Sequence, residues 1–294
     1  MSYRSRRKWL AKGVDLNHKS EQETHELFLE VLEEGLHGLC YSAYEDGQQP
    51  GSILTESQIR RRMAIIAPHT EWVRSFSCIE GNELIPVIAR EFGLKTLVGA
   101  WLGKDESLNE QEIAGLIKLA KAGYVDIAAV GNEVLYREDL TEAVLLNYIN
   151  RVKTELPGVP VGYVDAYYEF SMRPEITAAC DIILANCYPY WEGSHIDYSF
   201  IHIKQMYYQA LHAGKGKQVI ITETGWPSQG TGLDDAAPSK LNALKYFLTI
   251  QQWVAENNID LFYFSSFDES WKVGGEGDVG AYWGLWDKNE QLKF

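Results

Sequence analysis

Short runs of apolar, largely β-branched residues recur along the chain, with room for one helix between most neighbouring pairs. Eight such runs are found, over residues 38–44, 72–78, 95–102, 125–134, 159–167, 182–191, 218–224 and 261–267. Several are apolar throughout, the pattern of parallel strands covered on both faces. The intervening segments carry helical periodicity with readable starts. Thr55 and Gln58 predict a capping box opening a helix that must end near Pro68. Asn109 and Glu112 predict a similar start for a helix running to Lys121, with Gly123 suited to its C-cap. Thr141 predicts the N-cap of a helix that stops before Pro157-Gly158, and residues 196–213 and 239–257 predict two more. The link after the fifth run is short.

Eight strands alternating with helices predict a single (β/α)8 TIM barrel over an open doubly wound sheet. With 294 residues there is enough chain for one large core, and too little for two average domains plus a linker. Two departures are visible. No strong helical pattern follows the eighth run, and before the first run residues 20–34 predict an extra helix with its own Ser20/Glu23 capping box. That helix is expected to cover the barrel floor or to fill the missing position. The predicted organisation is a flexible extension over 1–19 and the barrel domain over 20–294.

Charge narrows the partners. A net charge of −14 and a pI of about 5.0 oppose phosphate backbones and anionic headgroups, which argues against nucleic acid and membrane surfaces. No stretch approaches the roughly 20 apolar residues needed to span a bilayer. The basic start, Met1 to Lys8, resembles the front of a signal peptide, but Lys12-Gly13 interrupt any apolar continuation. As written, the chain lacks an export signal, and a chain trimmed of its leader would look the same. Cys40, Cys78, Cys180 and Cys187 lack metal-like spacing and are expected to be buried thiols. Nine Trp and 17 Tyr could fill a core or stack on pyranose rings.

In such barrels the active site lies at the C-terminal ends of the strands, so the informative residues are the polar ones that terminate the apolar runs. The fourth run ends Gly131-Asn132-Glu133 and the seventh ends Thr222-Glu223-Thr224-Gly225-Trp226. A carboxylate following four or five apolar residues carries a heavy desolvation cost if merely structural. Two facing one cavity suit a retaining glycosidase, in which one protonates the departing oxygen and the other attacks the anomeric carbon. Tyr44, Tyr188, Tyr190, Trp226 and Trp271 sit at or just past strand ends and are candidates for stacking or hydroxyl binding, with Trp191, Trp283 and Trp286 weaker ones. Asp165, ending the fifth run, is expected to be a sugar ligand rather than a turn former. The seven His show no HxH pair, no phosphate-binding loop is present, and Lys272 lies past a strand end, so metal, nucleotide and Schiff-base chemistry compete poorly.

The string from Lys217 to Gly230 (KQVIITETGWPSQG) is similar to the signature of glycoside hydrolase family 17, the β-1,3- and β-1,3-1,4-glucanases. Residues 38–42, 130–134, 186–190, 264–272 and 283–287 agree with it, so the resemblance covers about residues 36–294; the run 187–193 looks closer to bacterial members than to plant ones. The resemblance implies Glu133 as acid/base, Glu223 as nucleophile, and Asn132 as a ligand of the sugar 2-hydroxyl. It also implies that Glu269, Lys272 and Glu276 bind sugar hydroxyls and hold the site's charge network; the plainer reading is a rim salt bridge between Lys272 and Glu276. The chemistry asks for Glu133 to start protonated in a drier setting, with Glu223 kept ionised by donors such as Tyr188. A β-1,3-glucan poly- or oligosaccharide is the expected partner, no cofactor is implied, and a monomer is expected. Transfer to a sugar hydroxyl is the alternative reaction, and a non-catalytic glucan-binding barrel the alternative class. Loops 45–54, 103–108 and 229–237 would decide endo or exo action.

Overall fold

In the computed structural model, which describes Leu16 and residues 19–294, eight parallel strands close into a barrel in the order β1 to β8. They are β1 (Leu36–Cys40), β2 (Thr70–Ser75), β3 (Lys95–Ala100), β4 (Ile127–Asn132), β5 (Val161–Ala166), β6 (Ile183–Asn186), β7 (Val219–Thr224) and β8 (Asp260–Tyr263). Each pairs with its sequence neighbour, and β1 closes on β8 through Gly38 against Phe262. Glycine is required there: a Cβ at position 38 would sit 2.5 Å from the Phe262 ring. The extension expected over residues 1–19 lies, apart from Leu16 and Lys19, outside the described residues.

Surrounding the strands are α1 (Glu21–Glu34), α2 (Glu56–Ile66), α3 (Leu84–Glu91), α4 (Glu106–Lys121), α5 (Glu142–Glu155), α6 (Glu169–Met172), α7 (Pro174–Ala179), α8 (Ile196–Gly214) and α9 (Lys240–Asn257). Both expected capping boxes form, Ser20 with Glu23 and Thr55 with Gln58, and Thr141 caps α5. Helix α4 starts earlier than expected. Asp105 caps it, accepting from the amides of Ser107 (2.9 Å) and Leu108 (3.1 Å). The amide of Asn109 instead braces the Gly103 backbone, and Glu112 accepts from Ser77 and from the Cys78 amide.

The strands are shorter than their apolar runs, chiefly at the C-terminal end. Residues beyond the ladders, such as Tyr41, Ala43, Cys187 and Tyr190, remain buried, so apolarity overshoots the hydrogen bonding. After β8 come two short 3-10 turns, Ser270–Val273 and Asp278–Ala281, in place of a helix. Helix α1 fills that vacant position: it packs on α9, with Phe28 edge-on to Phe247 (5.1 Å) and to Phe294 (5.3 Å). All four cysteines are buried free thiols. Among the described residues no helix is long and apolar enough to cross a membrane.

Candidate active site

At the C-terminal mouth of the barrel lies a cleft of about 960 Å³, and Glu133 and Glu223 both line it. The turn at the end of β4 is what presents Glu133. The ladder to β5 shifts register between Ala129 and Asn132, Gly131 takes φ +84°, and Glu133 itself takes φ +53°. A non-glycine residue held in that left-handed region costs on the order of 1–3 kcal/mol, and such outliers cluster at functional sites. The Glu133 amide still donates to Val164 O (2.8 Å), so the turn is anchored to β5.

The two carboxyls have opposite settings. Asn186, at the end of β6, donates its amide to Glu133 Oε1 (2.8 Å), and Thr222 fixes that amide's orientation by donating to its oxygen (2.9 Å). Burial pushes the Glu133 carboxyl up to about 7, helped by the negative charges of Glu223 and, more weakly, Asp165, against the Asn186 and Arg137 contributions. Glu223 instead receives strong donors. Arg74 Nη1 lies 2.5 Å from Oε1, and the Tyr188 hydroxyl donates to Oε2 at 2.9 Å. The same guanidinium donates through Nη2 to Asn132 Oδ1 (2.7 Å), tying the neighbour of Glu133 to Glu223.

After β8, Lys272 pairs with Glu269 at 2.9 Å and sits 4.1 Å above the Phe264 ring. Burial opposes the lysine's charge, but Glu269, Glu276 and Glu223 outweigh it and raise its pKa. The direct pair is thus with Glu269, not the Lys272–Glu276 bridge of the plainer reading. Trp271 donates to Glu269 (3.1 Å) and meets Tyr44 edge-on at 6.1 Å, while Asn82 donates to the Tyr44 hydroxyl at 3.4 Å. Asn132, Tyr44, Tyr188, Glu269, Trp271, Lys272 and Glu276 all face the cleft.

Three expected ligands do not face it. Asp165 is 0% exposed and takes the hydroxyl of Tyr163 together with the Ala166 amide (2.7 Å). Tyr163 in turn accepts from the Leu135 amide (2.9 Å), so the pair props the loop that follows Glu133. Tyr190 (0%) and Trp226 (1%) form a packed aromatic layer behind the cleft wall, 5.3 Å apart, with Trp226 donating to Ala237 O (3.0 Å) and Tyr190 to Thr231 O (3.2 Å). A position at a strand end does not say to which side a ring turns. Of the weaker candidates, Trp191 and Trp283 line the cleft, whereas Trp286 is buried against Phe267. Loops 45–54 and 103–108 contribute to its walls; residues 229–237 do not, folding back through the Leu233–Ala236 bridge and the Thr231–Asp278 hydrogen bonds.

Reading the sequence missed Arg74 and Asn186 as site residues. A signal for Arg74 was present: it is a charge inside an otherwise largely apolar run, where its desolvation demands a partner.

Residues 38–284 match the family model of the BtgE/BtgC glycoside hydrolase domain. The chain belongs to this family of glycoside hydrolases. It is 29% identical over 256 residues to a glucan 1,3-β-glucosidase of Candida albicans, covering 77% of this chain and 82% of that protein. With the glucan 1,3-β-glucosidase of Saccharomyces cerevisiae it shares 27% identity over 273 residues, 83% of this chain and 86% of the other. The crystal structure of a glycoside hydrolase family 17 β-1,3-glucanosyltransferase from Rhizomucor miehei superposes with a TM-score of 0.79 at 30% identity, covering 89% of this chain and 96% of that one. An active-site mutant of the Rhizomucor enzyme was solved with laminaritriose, at 29% identity and the same coverage. The family 17 resemblance read from residues 217–230 therefore holds, and the chain is a glycosidase.

Proposed function

We propose that this chain breaks β-1,3-linked glucan by double displacement, with Glu223 as nucleophile and Glu133 as acid/base. The observation that carries the reading is the pair of unlike carboxyls in one cleft. Glu133 retains a proton up to about pH 7, and Glu223 is met by a guanidinium and a phenol. In the first step a Glu223 oxygen forms a bond to the anomeric carbon as the glycosidic C–O bond breaks, and the Glu133 proton moves to the leaving oxygen. In the second, the Glu133 carboxylate takes a proton from water or from a sugar hydroxyl, whose oxygen attacks the same carbon and releases Glu223. Asn132, held by Arg74, meets the 2-hydroxyl in this reading, a contact that strengthens as positive charge develops at the anomeric centre. Glu269, Lys272 and Glu276 bind hydroxyls of the donor chain.

Tyr167, Tyr168 and Trp191, on the β5 and β6 side of the cleft, supply an aromatic wall that supports an incoming sugar as well as a leaving one, so transfer accompanies hydrolysis. Mass spectrometry of the products from laminari-oligosaccharides tests both halves. Shorter products accompanied by longer ones support cleavage with transfer; shorter products alone refute transfer; an unchanged substrate refutes the β-1,3-glucan reading.

A further inference from the structure

We propose that Trp101 is a carbohydrate-stacking platform on the β3 side of the cleft, taking a glucosyl unit beyond the two that flank the scissile bond. This rests on the β-1,3-glucan reading. Trp101 immediately follows β3, lines the cleft and is 42% exposed; with Trp191 (38%) it is one of two exposed tryptophans among the described residues. Leaving that much indole in water is unfavourable by about 25 cal/mol for each Å² of apolar surface, unless a ligand covers it.

The ring is held in place from behind. The Arg137 guanidinium lies 4.7 Å from the indole centroid. It is itself fixed by the Asp139 carboxylate (2.8 Å), by Leu102 O (3.1 Å) and by the backbone oxygen of Asn132. One face is therefore sealed by a clamped cation, and a ligand that stacks on the other does not have to order a free side chain. An apolar ring face flanked by the polar Lys104 and Asp105 fits a pyranose, which offers C–H bonds on its face and hydroxyls on its edge.

Topology supplies the direction. In the closed ring β3 stands opposite β7, so Trp101 is as far around the rim from Glu223 as a strand end can be. Across β4 from it lies the wall of Tyr167, Tyr168 and Trp191, so the two sides of Glu133 hold different units of the chain. A sugar on Trp101 is not the one attacked.

The test is kcat/KM on laminaritriose through laminarihexaose for the wild type, Trp101→Ala and Trp101→Phe, with mass-spectrometric assignment of the bond cleaved. The wild type is expected to gain efficiency with chain length. Trp101→Ala should lose about fivefold of that gain on the hexaose relative to the triose, and Trp101→Phe should restore most of it. Equal losses on all lengths, or no loss on any, overturn the platform. A wild type active on another glycan but on none of this series overturns the β-1,3-glucan reading and the platform with it.

Discussion

Replacing Glu133 by Gln separates the cost of the acid/base from its use. The folded-state pKa of Glu133 is pushed up to about 7 by burial and by Glu223. A raised carboxyl pKa means the native state binds the proton more tightly than the unfolded chain, so stability falls as pH rises from about 4.5 to about 7. From that window, the ionised carboxyl costs up to about 3 kcal/mol at pH 8 and under about 1 kcal/mol at pH 5. Glutamine keeps the acceptor for Asn186 and cannot ionise, so the variant should be more stable than the wild type at pH 8. For a chain of this size the gain corresponds to roughly 5 °C in Tm, shrinking to about one or two degrees at pH 5. Glu223→Gln should do the opposite, because it strands the buried Arg74 charge; breaking such a pair costs about 3–5 kcal/mol. Thermal denaturation of the three proteins at the two pH values checks this. An E133Q gain of equal size at pH 5 and pH 8, or none at either, refutes the claim that a buried ionisable carboxyl sits there. Both variants should lose activity on oligosaccharides.

Asp165→Asn removes a negative charge that helps raise Glu133, so the alkaline limb of the kcat/KM profile should move to lower pH; an unmoved limb would leave Asp165 a purely structural prop. Tyr188→Phe deletes one donor to Glu223, a hydrogen bond to a charged group worth about 1.5–3 kcal/mol, and steady-state kinetics should place a loss of tenfold or more in kcat rather than KM. Trp226→Ala should cost about 3–5 kcal/mol of stability in chemical denaturation, while the KM of the folded fraction stays near the wild-type value; a large KM rise would return Trp226 to the sugar site.

Strand identity was plain in the chain because parallel strands buried on both faces are apolar along their whole length, and all eight runs coincide with strands. Their ends were not, since the same apolarity continues into residues such as Tyr41 and Cys187 that are buried beyond the ladder. Glu133 and Glu223 stood out as charges closing apolar runs. The same logic pointed to Asp165, where it fails because the Tyr163 hydroxyl and the Ala166 amide satisfy the carboxylate internally. It passed over Arg74, whose charge lies within a run rather than at its end. Tyr190 and Trp226 show what periodicity lacks: once a strand leaves its ladder, alternation no longer says which way a ring points, and here both turn into the wall.

The proposed mechanism turns on which carboxylate becomes bonded to sugar. Incubation with a 2-deoxy-2-fluoro-β-laminaribiosyl fluoride, followed by proteolysis and peptide mass spectrometry, reads that bond directly. The account predicts one fluorosugar adduct on the peptide carrying Glu223. An adduct on Glu133 or Glu269, or an enzyme that turns over its natural substrate yet forms no adduct, would contradict it.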